Sequence, residues 1–200
     1  MEYIYEAHNM LPKTFCKEMI EKFESDSRRR QGELQGGAID HTLKKCTDLS
    51  IENITDWGVE SNHLDAAFNT AFIDYQNYLK LNIFGEDKAH IVDHLLVGKN
   101  VVRNTLTFRK YQVGDYFKWH TDYNPGVNRI CNFIIYLNDH EACTEFIDGK
   151  KIKPEAGKIV FFPTTWVHGH CGQTIENGAK YILTSFIHYD DTNERYTPVK

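Results

Sequence analysis

The sequence has 200 residues, 41% of them hydrophobic and 13% aromatic. That is enough apolar side chain to build a core, which excludes a disordered chain and fits one domain over residues 1–200. A net charge of −5 excludes bulk attraction to nucleic acid or to an anionic membrane. Cys16, Cys46, Cys131, Cys143 and Cys171 are odd in number and form no C-x-x-C pair, so a disulfide framework and a zinc knuckle are excluded and reduced thiols are expected. Met1 to Glu6 lack the basic-then-apolar order of a signal peptide, and no apolar run reaches membrane-spanning length. The expected location is the cytoplasm, with no membrane and no nucleic-acid partner.

In chain order, residues 1–100 read as helical support and loop. Phe15, Met19, Ile20 and Phe23 recur on one helical face, after Pro12 in a first-turn position. Ser25 to Lys45 is polar and long for a structureless connection, so it is either a mobile functional loop or partly ordered. Within it, Arg28-Arg29-Arg30 reads as a solvated face, with an acidic substrate as the alternative. Leu64, Phe68, Ala71, Phe72, Tyr75 and Leu79 mark a second helix, with Ser61 available as its N-cap. From residue 101 the pattern changes to short β-rich runs: 101–110, 116–120, 130–137, 144–147, 158–162 and 180–189. Gly114-Asp115, Asn124-Pro125-Gly126, Asp148-Gly149 and Asn177-Gly178 punctuate them, the last as a hairpin signal. Helices first and many short strands after predict an α+β fold, with the strands of 101–189 closing into a barrel or jelly roll.

The chemistry rests on His-x-Asp followed by a distant histidine, the facial set of two imidazoles and one carboxylate that suits ferrous iron and leaves sites open. His-x-Asp alone is weak, and this chain has three copies. His63-Leu64-Asp65 lies on a helix, where residues two apart diverge. His188-Tyr189-Asp190 has no histidine after it. His120-Thr121-Asp122 ends a strand, where residues two apart share a face, and His168 and His170 follow. His90 and His94 have helical spacing for a metal but lack the glutamate of a zinc protease, and they read as surface or partly buried side chains. Cys171 reads as a small buried residue rather than a soft ligand.

The segment Tyr111-Gln112-Val113-Gly114-Asp115-Tyr116-Phe117-Lys118-Trp119-His120-Thr121-Asp122 resembles the Y-x-x-G-x-x-(Y/F)-x-x-H-x-D signature of prolyl 4-hydroxylase-like 2-oxoglutarate oxygenases. Ile135-Tyr136-Leu137-Asn138, Cys143 to Phe146, Lys153 to Lys158, Phe161-Phe162-Pro163 and Gly178-Ala179-Lys180-Tyr181 continue the likeness in order, over roughly residues 101–189. Two departures stand out: Ala142-Cys143 replaces a glycine pair, and Thr174-Ile175 replaces the proline and valine usual after the distal histidine. The resemblance implies a double-stranded β-helix (jelly-roll or cupin-like) core. It implies Fe(II) on His120, Asp122 and a distal histidine, with 2-oxoglutarate as co-substrate beside Lys180, Tyr136, Tyr111 and Thr184. Dioxygen and ascorbate as reductant come with the same likeness.

The distal histidine is assigned to His170 rather than His168. In the family it precedes the co-substrate cation by about ten residues, and His170 stands that far before Lys180, although both histidines would share a face of an extended strand. The implied reaction is hydroxylation of an unactivated C–H bond, with peptidyl-proline as the substrate suggested by resemblance. The alternatives are a free amino acid or other small molecule, and a non-catalytic metal-binding barrel. Residues 25–45 and 123–129 are expected to shape the substrate mouth.

Overall fold

The computed structural model describes residues 3–52, 54–98, 101–123 and 128–189. Strand β1 (Tyr5–Ala7) leads into helix α1 (Lys13–Ser25). The short strands β2 (Arg30–Gln31), β3 (Lys44–Lys45) and β4 (Thr47–Ser50) follow, then α2 (Gly58–Tyr78) and α3 (Ala89–Leu96). The strand-rich half contains β5 (Val101–Arg103), β6 (Thr107–Gln112), β7 (Tyr116–His120), β8 (Arg129–Tyr136) and β9 (Thr144–Phe146). It continues with β10 (Lys151–Ile152), β11 (Ile159–Pro163), β12 (His170–Gly172) and β13 (Ala179–Tyr189).

The strands form two antiparallel sheets. The larger has the order β1-β11-β8-β13-β6-β4-β2, with β5 also on β13, and the smaller has the order β10-β9-β12-β7-β3. Together with the helices they make an α+β, jelly-roll-type architecture. No helix among the described residues is long and apolar enough to cross a membrane.

Strand alternation sorts the central side chains to two faces. Phe108, Phe133, Ile135, Phe161 and Leu183 turn outward and pack under α1 and α2. Phe23 stacks on Phe108 at 4.2 Å, Tyr75 on Phe161 at 5.3 Å, and Phe68 lies 4.7 Å from Phe133. Burying each such ring contributes about 1.5–3 kcal/mol. The opposite parity, Tyr111, Ile134, Tyr136, Phe162 and Ile182, faces the smaller sheet and forms a second core. Functional side chains of the same parity therefore point into the space between the sheets.

Several local expectations are corrected. Pro12 is the extended residue ahead of α1, not part of its first turn. Ser61 lies inside α2, because a 3-10 turn over Thr55–Trp57 starts the helical stretch earlier; Trp57 is fully buried there and donates from Nε1 to Asp26 at 2.8 Å. The run 101–110 is two strands. Asn177-Gly178 is not a hairpin: β12 pairs with β7 and β9, while β13 pairs with β8, β6 and β5, so this turn carries the chain from one sheet to the other. Residues 25–45 are partly ordered by β2 on β4 and β3 on β7. Arg28 pairs with Asp26 and Asp56, Arg29 with Glu24, and Arg30 with Glu33. The Asn124-Pro125-Gly126 turn and Asp190 lie outside the described residues.

Candidate metal and co-substrate site

Strands β7 and β12 are neighbours in the smaller sheet, and their register sets His120 directly opposite His170. Asp122 follows two residues after His120. One ligand atom from each of these three side chains lies within 4.8 Å of the others, the only such His/Cys/Asp/Glu group among the described residues. His120 Nε2 is 3.8 Å from Asp122 Oδ1, and His170 Nε2 is 3.6 Å from Asp122 Oδ2. Both imidazoles are oriented by main-chain carbonyls. His120 Nδ1–H donates to Lys118 O at 2.8 Å, and His170 Nδ1–H donates to His168 O at 3.0 Å. That tautomer leaves both Nε2 lone pairs facing the carboxylate, as metal ligation requires.

Burial, reinforced by the nearby His170, pushes the His120 pKa well below the ordinary histidine value, and the neutral ring is the form that binds a cation. Phe117 stacks on His120 at 3.6 Å, and Phe162 lies 4.9 Å from His170. This apolar jacket limits the access of water.

His168 is not in the cluster. The stretch Trp166–His168 is a 3-10 turn rather than an extended strand, so the shared-face geometry expected of His168 and His170 does not arise. The His168 ring meets Thr165 Oγ1 at 3.0 Å and the edge of Tyr3, away from Asp122. His63 bonds Val59 O within α2, and Asp65 pairs with Arg103. His90 and His94 lie on α3, also apart from the cluster.

Lys180 enters the same cavity from β13, is 3% exposed, and donates to Ala142 O at 3.1 Å. Burial pushes its pKa down to about 8; no carboxylate opposes the shift, only the thiols Cys143 and Cys171. A buried ammonium without a counter-ion is costly unless an anion arrives. Gly172 lies beside it, where an added Cβ would make only ordinary contact with Lys180 Nζ at 3.9 Å. Tyr111 pairs with Lys180 across β6 and β13, and its ring centroid lies 5.4 Å from Lys180 Nζ. Thr184 lines the cavity. Tyr136 is fully buried, with its hydroxyl held by Thr144 Oγ1 at 2.7 Å, so Thr144 is the group that faces the cavity.

Three polar cavity residues went unrecognised in the sequence: Asn132, Arg109 and Thr144. Asn132 Nδ2 donates to Asp122 Oδ2, and Asn132 Oδ1 accepts from Thr184 Oγ1 at 3.3 Å. A lone asparagine inside the apolar run Ile130-Cys131-Asn132-Phe133-Ile134-Ile135 is a readable anomaly.

A family model described as the 2OG-Fe(II) oxygenase superfamily matches residues 106–188. Three solved structures illustrate the fold. A prolyl hydroxylase from Trichoplax adhaerens, in complex with a peptide fragment of the hypoxia inducible factor oxygen degradation domain, matches with a TM-score of 0.70 at 13% identity, covering 94% of this chain and 84% of that one. The viral collagen prolyl hydroxylase of Paramecium Bursaria Chlorella virus-1 matches with a TM-score of 0.60 at 17% identity, covering 94% and 97%. A Pseudomonas putida prolyl-4-hydroxylase matches with a TM-score of 0.61 at 14% identity, covering 94% of each chain. No curated protein sequence matches. At these identities the likeness is one of fold. Residues 106–188 thus match the 2OG-Fe(II) oxygenase superfamily, the chain shares the fold of the prolyl hydroxylases, and together these support a 2-oxoglutarate- and iron-dependent dioxygenase.

Proposed function

We propose that the whole chain is one oxygenase domain, with a double-stranded β-helix core, that hydroxylates a prolyl residue of a peptide or protein. His120, Asp122 and His170 hold Fe(II). Lys180 holds the far carboxylate of 2-oxoglutarate, with Tyr111, Thr184 and, through Thr144, Tyr136 around it. The observation that carries this reading is a facial His/Asp/His set sharing one cavity with a buried lysine that no carboxylate neutralises. The donor set fits ferrous iron, and the lone cation fits a dicarboxylate.

When bound, iron and 2-oxoglutarate supply the oxidising chemistry that places an oxygen atom of dioxygen on a C–H bond. The chain supplies position. Lys118 O and His168 O fix the two imidazoles, Asn132 orients Asp122, and Phe117, Phe146 and Phe162 exclude water. The prolyl substrate is supported by the likeness to prolyl hydroxylases along 94% of the chain. Ascorbate as reductant and a cytoplasmic location belong to the same reading.

The test is anaerobic addition of 2-oxoglutarate to the Fe(II)-loaded protein. A visible charge-transfer band of the chelated keto acid is expected, followed in air by succinate release that proline-containing peptides stimulate. Absence of the band would remove the metal and co-substrate assignments. A band without stimulation by any prolyl peptide would remove the prolyl substrate alone.

A further inference from the structure

Beyond the iron cavity lies a wider one of about 500 Å³ that reaches the surface, and Arg109 lines both. Its side chain is 18% exposed, while Nε is buried and has no hydrogen-bond partner. The carboxylate nearest Nε is Asp48 Oδ1, at 3.6 Å. That carboxylate is already engaged: Oδ1 accepts from Cys46 Sγ at 3.0 Å, and Oδ2 accepts from Lys44 Nζ at 2.9 Å. Asp122, the other acid near Arg109, is committed to Asn132 and the histidine cluster. Two buried cations, Lys44 and Arg109, thus share the Asp48 carboxylate, and Arg109 lines both cavities with its Nε–H unmatched by any hydrogen-bond acceptor. Guanidinium matches a carboxylate in two-point geometry better than any other common group.

The rest of the outer cavity agrees. Its third acid, Glu33, faces Arg30 at 3.6 Å, and Lys118 is a further cation in the lining. In a chain of net charge −5, the mouth of this one cavity is cationic. Phe117, Trp119, Tyr123 and Phe186 supply apolar and aromatic wall around it.

We infer that Arg109 receives a carboxylate of the prime substrate, which selects an acidic molecule with a compact apolar body over a neutral one. This rests on the reading of the inner cavity as the iron and 2-oxoglutarate site. The carboxylate has two possible sources, an α-carboxylate beside the reacting carbon or an acidic side chain next to it in a peptide.

The test uses the Zn(II)- and 2-oxoglutarate-loaded full chain and follows the Arg109 Nε–H resonance by NMR, assigned through the backbone of β6 so that no destabilising variant is needed. Acetate, which carries the recognised group alone, is titrated against neutral acetamide. A saturable shift with acetate and none with acetamide is expected. N-acetyl-L-proline is then compared with N-acetyl-L-prolinamide, and acetyl-prolyl-aspartate amide with its asparagine counterpart. In at least one pair the acid should bind roughly tenfold tighter or more, the size of one charge-assisted hydrogen bond, and the pair that does so identifies the source.

Two results would overturn the assignment: no response of the Arg109 signal to any acid, or a shift caused by 2-oxoglutarate alone that abolishes the response to acetate, which would give the guanidinium to the co-substrate. The keto-acid band with Fe(II) is read in parallel, so loss of the underlying oxygenase site shows separately from loss of the acidic-substrate reading.

Discussion

The amide of Asn132 donates to the carboxylate of Asp122, and its carbonyl takes the hydroxyl of Thr184, so one side chain on β8 ties the acid of the metal cluster to β13. An outer partner of this kind orients a ligand, and its loss typically costs 10–100-fold in metal affinity. Asn132→Ala should therefore weaken Fe(II) binding by roughly that factor while leaving the far-UV circular dichroism unchanged. Competition against a coloured chelator measures the affinity. Metal affinity unchanged in Asn132→Ala would reduce this contact to packing.

The two neighbouring histidines should separate cleanly. His170→Ala removes a donor from a cluster with only three and should abolish tight metal binding. His168 keeps only a main-chain role there, its carbonyl accepting from His170, so His168→Ala should change metal affinity by less than about tenfold. The same chelator competition reads both variants, and the reverse order would reassign the site.

In its proposed role, Lys180 would give the co-substrate a pH limit. Burial pushes its pKa down to about 8 in the free protein, whereas the bound dianion requires the ammonium. Affinity for 2-oxoglutarate should be flat below pH 8 and fall above it, by up to about tenfold per pH unit as a proton must be taken up on binding. Lys180→Arg stays charged throughout and should flatten the fall. The stability consequence has the opposite sign. The unfolded chain holds this proton more tightly, so the buried-charge cost present below pH 8 is relieved as pH rises through 8 toward the ordinary lysine value. Calorimetric titration of 2-oxoglutarate from pH 7 to 9 checks the first statement, and a curve unchanged through pH 8 would contradict it.

Gly157 is where the fold should be least tolerant. Its φ is +86°, its carbonyl accepts from Met10 and Leu11, and an added Cβ would lie 2.2 Å from Leu11 O. Gly157→Ala should cost about 2–4 kcal/mol, measured by urea denaturation, since backbone rather than a flexible side chain must move.

The sequence displays some of these features and hides others for identifiable reasons. Strands in 101–189 stand out because β-branched and aromatic runs are bounded by turn residues. The four strands β1 to β4 do not, because they are two to four residues long, and segments such as Thr47-Asp48-Leu49-Ser50 acquire strand geometry only by pairing with β6. Strand periodicity singles out His120 and Asp122 among three His-x-Asp copies. It is silent on His168 against His170, because that stretch begins as a 3-10 turn. Asn132 is visible as the one polar residue of an apolar run, but Arg109 looks like an ordinary strand residue until its parity is matched to Tyr111, which requires knowing which face of the strand looks inward.

His120 and His170 meet only because β7 and β12 hold one particular register. A slip of a single residue would turn one ring to the opposite face and dismantle the cluster without removing a strand. An ion held between the two, as proposed, would act as a fastener on the smaller sheet, and binding to the native form alone would add about 2.7 kcal/mol at a free concentration one hundred times the dissociation constant. Under metal starvation the smaller sheet would lose that fastening. Its locally opened form is then offered to proteases, so the abundance of the protein would follow the supply of the metal it uses.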